Sequence, residues 1–278
     1  MGWFDPRRDA YPWRGTSDPY AVLVSEVMLQ QTQAARVVQA YERFLARFPT
    51  VAALARASRA DVVRAWEGLG YNRRAVALSE AARAIVRDHG DRVPADPDEL
   101  KRLPGVGPYT AAAVASFGHG VAVAAVDTNV RRVVARARLG REPADVLPRV
   151  LDDEAERWLD RRHPGEWNQA LMDLGREVCR PRPRCEACPI ARDCRFRKSV
   201  RPRSGGKRSK PPFEGSTRHV RGAIVAVLRR HPSASVERVA SESGFPVERI
   251  VDALPGLKRD GLVTVTAAPR GATLRLAP

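Results

Sequence analysis

The chain has 278 residues, of which 44% are hydrophobic, enough for one large domain with a packed core and a second small one. The chain has 48 lysine and arginine residues against 32 aspartate and glutamate residues, a net charge of +16. This excess favours a polyanionic partner, of which nucleic acid is the first candidate, over a basic surface that only faces water. The polar, aromatic N-terminus excludes a signal peptide, and no apolar run is long enough to predict a membrane span.

A first helix is predicted from about Tyr20 to Gln33, because Asp18-Pro19 is a favourable helix start after an irregular N-terminus. Glu26 lies among apolar residues of this helix. An acid in that setting is usually a partly exposed side chain or half of an ion pair, and less often a catalytic group. Gln30 and Gln31 at the helix end suit a polar wedge that enters a partner, or simply face water.

The next helices are predicted at about 34–47, 51–57, 59–66, 75–89 and 98–103. The turn at Gly68–Arg74 combines an aromatic residue with two arginines, a composition that suits stacking on bases beside phosphate contacts. A helix C-cap followed by the solvated cationic start of the next helix explains the same residues equally well.

A glycine turn, Pro104–Pro108, leads into a run of small apolar residues that begins at Tyr109. Because glycine has no side chain to hold a ligand off, such a turn can bring backbone N–H groups close to a phosphate. Asp127 ends the apolar run, and an acid emerging from apolar surroundings is a candidate for chemistry. On position alone, however, it is more simply the N-cap of the helix that begins at Thr128. Helices at about 148–161 and 166–177 follow.

All four cysteines lie close together, in the order Cys179-x5-Cys185-x2-Cys188-x5-Cys194. A disulfide framework would spread them along the chain, so the cluster indicates a metal site in a reducing compartment. We therefore predict a cytoplasmic, nucleoid-associated protein. Four thiolates fit zinc or a [4Fe–4S] cluster, and the single C-x2-C knuckle favours the iron–sulfur cluster.

The loop between the first two cysteines is unusually basic. Arg180, Arg182 and Arg184 alternate with prolines, which stiffen the loop and hold the guanidinium groups outward, toward a phosphate backbone. A basic linker rich in Pro, Gly and Ser is predicted at 199–216. It separates a domain at 1–198 from one at 217–278.

The last sixty residues change character. Helices are predicted at about 218–230, 236–243 and 246–260, the third interrupted or ended near Pro255-Gly256, and strands at 261–266 and 272–276. Three helices followed by a β-hairpin is the order of a winged helix-turn-helix.

Five short segments and the cysteine cluster together carry a specific resemblance. The segments are SEVMLQQT from Ser25, GLGY from Gly68, LPGVGPYT from Leu103, VDTN from Val126 and NQALMDLG from Asn168. In this order they resemble the helix–hairpin–helix DNA glycosylases, and within them the MutY-type adenine glycosylases, over about residues 10–198. The glycine turn alone would indicate only the superfamily, whereas EVMLQQT is the part specific to the adenine enzymes.

The resemblance implies a mainly α, two-lobed fold with a DNA cleft between the lobes, an iron–sulfur loop and, here, a small C-terminal winged-helix-like domain. It implies a [4Fe–4S] cluster on Cys179, Cys185, Cys188 and Cys194. The expected partner is double-stranded DNA with adenine mispaired to 8-oxoguanine or guanine, from which the enzyme flips out the adenine and hydrolyses its N-glycosidic bond. We expect a monomer.

The resemblance also implies roles for single residues. Glu26 matches the acid that protonates adenine at N7, and Asp127 matches the carboxylate that stabilises the oxocarbenium ion. Tyr109 and Asn129 match positions that assist around the sugar. The residues expected at the DNA are Trp13 and Arg14 in the adenine pocket, Gln31 and Tyr71 in the base stack, and Gln30, Thr32, Gly105, Val106, Gly107, Arg180, Arg182 and Arg184 around them.

Three features distinguish the chain from related enzymes. Tyr109 stands where endonuclease III enzymes carry a Schiff-base lysine, so lyase activity is not expected and we predict a monofunctional glycosylase. The first cysteine spacing is x5 instead of the family's usual x6. Many MutY-type enzymes end in a β-rich domain that inspects 8-oxoguanine, whereas this chain ends in the winged-helix-like module. Two alternatives follow: a glycosylase of the same scaffold that acts on thymine or a damaged purine, and a non-catalytic DNA-binding regulator.

Overall fold

The computed structural model describes residues 2–7, 11–199, 213–268 and 271–278, so most of the linker predicted at 199–216 lies outside the described residues. The predicted mainly helical fold is confirmed. The helices are α1 Pro19–Leu29, α2 Ala34–Arg47, α3 Val51–Arg56, α4 Arg59–Ala65, α5 Arg73–His89, α6 Pro97–Lys101, α7 Pro108–His119, α8 Thr128–Leu139, α9 Pro148–Trp158, α10 Pro164–Glu177, α11 Arg195–Ser199, α12 Thr217–Arg230, α13 Val236–Ser243 and α14 Val247–Arg259. The strands are β1 Ala234–Ser235, β2 Val263–Ala268 and β3 Gly271–Leu276.

The chain divides into two compact units. Unit 1 comprises Met1–Glu26, Pro94–Arg102 and Val106–Arg208, and unit 2 comprises Val27–Val93, Leu103–Gly105 and Ser209–Pro278. The C-terminal module therefore belongs to the same compact unit as residues 27–93. Over the described ranges, every helix is too short or too polar to cross a bilayer.

The core of unit 1 is built by α8, α9 and α10. The apolar stripe of α8, including Val130, Val133 and Val134, is fully buried against the other two helices. Gly175 allows α10 to approach α8 closely, because a Cβ atom there would lie 2.6 Å from the Cβ of Asn129. The close packing of α10 on α8 holds the N-terminus of α8 in a fixed position.

In unit 2, short capped helices pack around the long helix α5. Thr50 and Ser58 accept hydrogen bonds from the backbone of Ala53 and Asp61, so α3 and α4 begin where side-chain caps replace the missing helical acceptors. Phe44 of α2 and Trp66 after α4 are fully buried, with ring centroids 5.8 Å apart in an edge-to-face arrangement.

The C-terminal module has the predicted winged-helix order. Its sheet has the order β1-β3-β2, and β2 pairs with β3 in an antiparallel hairpin in which Val265 lies opposite Leu274. The two-residue strand β1 is too short for a sequence pattern to reveal. The prediction that the third helix is broken near Pro255 is wrong, because α14 continues to Arg259. Val251, whose carbonyl loses its helical donor, is 49% exposed, so water can replace that hydrogen bond.

Within unit 2 the module is fixed to the helices that precede the cysteine region in sequence. Arg229 Nε donates to the carbonyl of Val63 at 3.0 Å, and its Nη2 donates to Asn72 Oδ1 at 2.9 Å. Burial lowers the pKa of Arg229, since water is excluded from this contact. The module is therefore attached by buried, directional contacts, and the linker alone does not determine its position.

Candidate active site and nucleic-acid interface

Two acids and a phenol from three separate elements meet in unit 1. Glu26 lies near the end of α1 and is 6% exposed. Tyr109 lies in the first turn of α7, where its hydroxyl donates to Met172 Sδ at 3.7 Å and also interacts with the Glu26 carboxyl. Asp127 caps α8 and interacts electrostatically with both. The structure therefore brings together the two candidate acids, which are about a hundred positions apart in sequence.

Burial controls the protonation of Glu26. Loss of solvation raises the pKa of its carboxyl from 4.5 to about 7, and the nearby charge of Asp127 acts in the same direction. The hydrogen bond from Tyr109 and the charge of Arg14 partly oppose this rise. Burial also raises the pKa of the Tyr109 phenol well above its ordinary value, so the phenol keeps its proton and remains a donor. At neutral pH, Glu26 can thus hold a proton or release it.

Asp127 is both an N-cap and a member of this site. Its Oδ1 accepts hydrogen bonds from the backbone N–H groups of Asn129 and Val130 at 2.8 and 2.7 Å. Burial raises the pKa of Asp127, whereas these donors, which stabilise its charged form, lower it. The structural and the chemical interpretation of this residue are therefore compatible, because the cap fixes the carboxylate and leaves Oδ2 for other contacts.

A chain of hydrogen bonds links Asp127 to the first cysteine. Asn129 Nδ2 donates to Asp127 Oδ2 at 2.8 Å, and Arg132 Nη2 donates to Asn129 Oδ1, also at 2.8 Å. Arg132 also donates from Nε to the carbonyl of Cys179 at 2.5 Å and from Nη2 to that of Gly175 at 2.7 Å. Sequence reasoning missed Arg132, which lies one helical turn after Asn129 in a segment with two adjacent arginines.

A buried amide shapes the segment that leads into Asp127. Asn168 is fully buried, and its Oδ1 accepts from the backbone N–H of Ala125 at 2.8 Å. Its Nδ2 donates to the Ser116 hydroxyl and to the Val123 carbonyl, each at 2.9 Å. The irregular backbone before α8 thus has the polar partners that a buried loop requires. The NQALMDLG segment contains this residue, but periodicity alone assigns it no role.

The predicted adenine-pocket residues lie in the short 3-10 turn Pro12–Arg14. Nη1 and Nη2 of Arg14 donate to Oδ2 and Oδ1 of Asp173, each at 2.8 Å, and the Asp173 side chain is 1% exposed. Trp13 is 8% exposed and stacks on Tyr11, with centroids 4.9 Å apart and planes inclined by 3°. Asp173 is a second residue that the sequence analysis missed. Its only sequence signal is that it is an acid among the apolar residues of the MDLG segment.

The four cysteines line one cavity, together with apolar and arginine side chains. Burial raises the pKa of the Cys179 thiol, while Arg136, whose Nη1 lies 3.8 Å from Cys179 Sγ, lowers it. Among the described residues, no three His, Cys, Asp or Glu side chains are arranged to hold a metal ion as they stand. The predicted outward direction of the arginines agrees with the structure, in which Arg180, Arg182 and Arg184 are all exposed.

Unit 2 presents two loops that contain the predicted base-stack residues. Helix α1 ends at Leu29 and not at Gln33, because Gln31 takes the left-handed conformation with φ of 56°. Tyr71 has φ of 46° and is 41% exposed. Non-glycine residues seldom adopt this backbone conformation, so the surrounding contacts must stabilise each loop.

Arg74 supplies those contacts for both loops. Its Nη1 donates to the carbonyls of Val27, Met28 and Gln30 at 2.9, 2.7 and 2.6 Å. Its Nη2 donates to the Thr32 hydroxyl at 2.9 Å and to the carbonyls of Leu69 and Gly70 at 3.0 and 3.1 Å. Burial lowers the pKa of Arg74 to about 10. Arg74 and Thr32 therefore bind loop backbone, and of the two arginines expected at phosphates only Arg73 is exposed.

In the glycine turn, Val106 has a buried side chain and its two neighbours, Gly105 and Gly107, are exposed. Gly105 has φ of +76°, and a Cβ there would lie 2.7 Å from the Cβ of Ala77, so only glycine fits. Val106 is 7% exposed and packs inward, which leaves only its backbone for a ligand. Gly107 precedes α7 with open space around its Cα. Gln30 Nε2 donates to the Gly105 carbonyl at 3.5 Å.

Comparison with known proteins identifies relatives of this chain. Residues 24–154 match the family described as HhH-GPD superfamily base excision DNA repair protein. The chain is 44% identical to the adenine DNA glycosylase of Mycobacterium tuberculosis (strain ATCC 25618 / H37Rv), over 97% of this chain and 90% of that protein. It is 42% identical to the adenine DNA glycosylase of Mycolicibacterium smegmatis, over 97% and 93%.

A solved structure of a thermostable thymine-DNA glycosylase has a TM-score of 0.66 and 33% identity, over 71% of this chain and 92% of that one. The resemblance carried by the motifs and the predicted helix–hairpin–helix fold are thereby confirmed. With relatives of this identity over nearly its whole length, the chain belongs to the adenine DNA glycosylase family of the HhH-GPD superfamily.

Proposed function

We propose that the protein is a monofunctional adenine DNA glycosylase of base excision repair, which removes adenine mispaired with 8-oxoguanine or guanine. The observation that carries this proposal is the pair of acids in unit 1, of which Glu26 is buried and Asp127 is half-buried. Glu26 has a pKa of about 7 and lies with Asp127 and the Tyr109 phenol, the arrangement needed for removal of a poor leaving group. Full-length relatives with the name adenine DNA glycosylase support the choice of base.

The reaction begins with proton transfer from Glu26. The protonated carboxyl donates its proton to N7 of the extruded adenine, and the electron pair of the C1′–N9 bond leaves with the base. The sugar then carries the positive charge of an oxocarbenium ion. The Asp127 carboxylate, held in place by Asn129 and the α8 backbone, stabilises that charge. Water adds to C1′ as its proton passes to the Glu26 carboxylate, which restores the acid.

Tyr109 and Arg14 position these groups. The Tyr109 hydroxyl favours the charged form of Glu26, and a phenol cannot form the Schiff base that β-elimination needs. Arg14 is fixed by Asp173 and partly offsets the rise in the Glu26 pKa. The Arg14 guanidinium lies 5.4 Å from the centroid of Tyr11, on which Trp13 stacks, and together these side chains form one wall of the proposed adenine pocket.

DNA is bound as duplex by exposed cations and by the loops. Arg180, Arg182 and Arg184 contact phosphates, as do the backbone N–H groups at Gly105, Val106 and Gly107. Gln31 and Tyr71 enter the base stack and offset part of the free energy of base flipping, about a few kcal/mol. The net charge of +16 agrees with this partner. We propose that one chain acts alone, in the cytoplasm with the nucleoid.

The cysteine cavity suits a [4Fe–4S] cluster. Four thiols line one cavity, and the guanidinium of Arg136, with Nη1 3.8 Å from Cys179 Sγ, places a positive charge beside the first of them. When bound, such a cluster supplies one-electron redox chemistry and cross-links residues 179–194. Cys179, Cys185, Cys188 and Cys194 would hold it, and the hydrogen bond from Arg132 to the Cys179 carbonyl would connect the folding of this loop to the position of Asp127.

Removal of thymine is the second candidate, because a thymine-DNA glycosylase shares this fold at 33% identity. Single-turnover assays on duplexes with A opposite 8-oxoguanine, A opposite G, and T opposite G separate the two. We expect excision of adenine alone, and Glu26→Gln should abolish it while DNA binding persists. Thymine excision at a comparable rate, or unchanged adenine excision by Glu26→Gln, would contradict the proposal. Borohydride trapping that depends on a lysine would contradict the monofunctional assignment.

A further inference from the structure

The C-terminal module forms one side of a groove within unit 2. The groove has a volume of about 1020 Å³, and the loops that contain Gln31 and Tyr71 form its other side. The exposed ring of Tyr71 and the exposed Phe213 both lie on it. Arginine side chains from both sides also line the groove, among them Arg73, Arg218 and Arg221.

Arg218, in the first turn of α12, clamps Tyr71. Its Nη1 donates to the Tyr71 hydroxyl at 2.6 Å, and its guanidinium carbon lies 5.3 Å from the centroid of the Tyr71 ring. The same guanidinium lies 5.0 Å from the Phe213 centroid. On the glycosylase side, the Arg74 guanidinium lies 5.6 Å from the Tyr71 ring. Two guanidinium groups thus contact the Tyr71 ring, that of Arg74 and that of Arg218 from the C-terminal module.

Tyr71 needs such a clamp. Its backbone is left-handed with φ of 46°, and its ring is 41% exposed. An exposed ring on a strained backbone would sample other conformations, and each of them lowers the fraction of molecules ready to bind. A hydrogen bond to the hydroxyl and a guanidinium at the ring together select one conformation.

The module's DNA-recognition candidate by fold analogy, α14, carries both signs of charge on its exposed surface. Glu248 and Asp252 lie there beside Val247 and Val251, and carboxylates repel phosphates. The exposed cations of this helix are Arg249, which donates to the Gly215 carbonyl at 2.5 Å, and Lys258 and Arg259 in its last turn. None of these three side chains lines the groove, whereas Arg218 and Arg221 of α12 do.

We propose that Arg218 is a positioning residue for Tyr71, and that the C-terminal module contributes to catalysis through α12 by holding Tyr71 in the conformation that enters the base stack. This inference rests on the proposed function, since it assumes that Tyr71 contacts DNA. Arg218 acts before bond cleavage, so its loss changes DNA binding and base extrusion and leaves the proton transfer from Glu26 unchanged.

A double-mutant cycle in the full-length holoenzyme tests the clamp. Arg218→Ala, Tyr71→Phe and the double variant are compared, and Arg259→Ala serves as a control that removes the same charge from an exposed position on α14. The first readout is the single-turnover excision rate at limiting enzyme. The second is the fluorescence of a duplex with 2-aminopurine in place of the target adenine, which reports extrusion without excision.

We expect Arg218→Ala to lower both signals roughly two- to fivefold, and Tyr71→Phe, which keeps the ring contact with Arg218, to lower them less. The double variant should lose little more than Arg218→Ala, Arg218→Lys should not restore the signals, and the pH profile at saturating enzyme should stay unchanged. Additive losses, full rescue by lysine, or an equal loss in Arg259→Ala would overturn the inference. If the wild type extrudes 2-aminopurine but excises no adenine, the proposed function fails while the clamp is still tested.

Discussion

The protonation of Glu26 should appear both in the rate of the reaction and in the stability of the fold. Burial raises the pKa of this carboxyl from 4.5 to about 7. At pH 7 about half of the molecules then hold the proton, whereas a carboxyl with the ordinary pKa would hold it in roughly one molecule in 300. Excision at saturating enzyme should therefore fall about tenfold for each pH unit above the pKa, since only the protonated acid can donate.

The same change of pKa has a consequence for stability. Between pH 4.5 and about 7 the folded protein holds a proton on Glu26 that the unfolded chain has released, so the free energy of unfolding falls as pH rises through this window. The pKa change corresponds to about 3 kcal/mol in full, an order-of-magnitude value for so buried a group. Glu26→Gln removes this loss, because glutamine carries no proton to release.

Urea unfolding of wild type and Glu26→Gln between pH 5 and 8 measures the effect. The free energy of unfolding of the variant should rise relative to that of the wild type as pH increases. The variant should show no excision at any pH in this range. Glu248→Gln, the same substitution at an exposed position on α14, is the matched control and should parallel the wild type. Parallel stability curves for wild type and Glu26→Gln, or excision that is flat from pH 5.5 to 8.5, would refute the reasoning.

Other substitutions test separate features of the structure. Gly175→Ala places a methyl group 2.6 Å from the Cβ of Asn129 and should destabilise the protein by about 1–3 kcal/mol in thermal unfolding. Gly222→Ala, at a position with open space, is the control and should not destabilise it. Equal melting temperatures of the two variants would contradict the close packing. Arg182→Ala should weaken DNA binding and reduce the slope of log Kd against log salt concentration by about 0.9, the value for one phosphate neutralised, so an unchanged slope would show that Arg182 binds no phosphate. Arg132→Gln should lower adenine excision more than DNA binding, because it cuts the link between Asn129 and Cys179; an equal loss of both would indicate general unfolding. The purified protein should be yellow-brown with broad visible absorbance, and a colourless protein with stoichiometric zinc would contradict the cluster.

The sequence predicted most of the helices, since their apolar periodicity, caps and prolines are local signals. It placed the end of α1 at Gln33 and expected α14 to be interrupted or ended near Pro255, and the two errors have different physical causes. Arg74, 44 positions from Gln30, stabilises the left-handed turn after Leu29, and solvent exposure at Val251 lets α14 continue through Pro255. Neither effect is visible in a window of neighbouring residues.

The sequence by itself determined which side chains were available for chemistry. They are Glu26, Asp127, a tyrosine in place of a lysine, four clustered cysteines and an excess of cations. Only the tertiary structure decided how they are used. It buried Glu26 enough to raise its pKa, oriented Arg14 through Asp173, joined Asp127 to Cys179 through Asn129 and Arg132, and placed Arg218 on Tyr71. Desolvation and hydrogen bonding between residues up to 166 positions apart depend on which surfaces pack together, and no local pattern of residues encodes that packing.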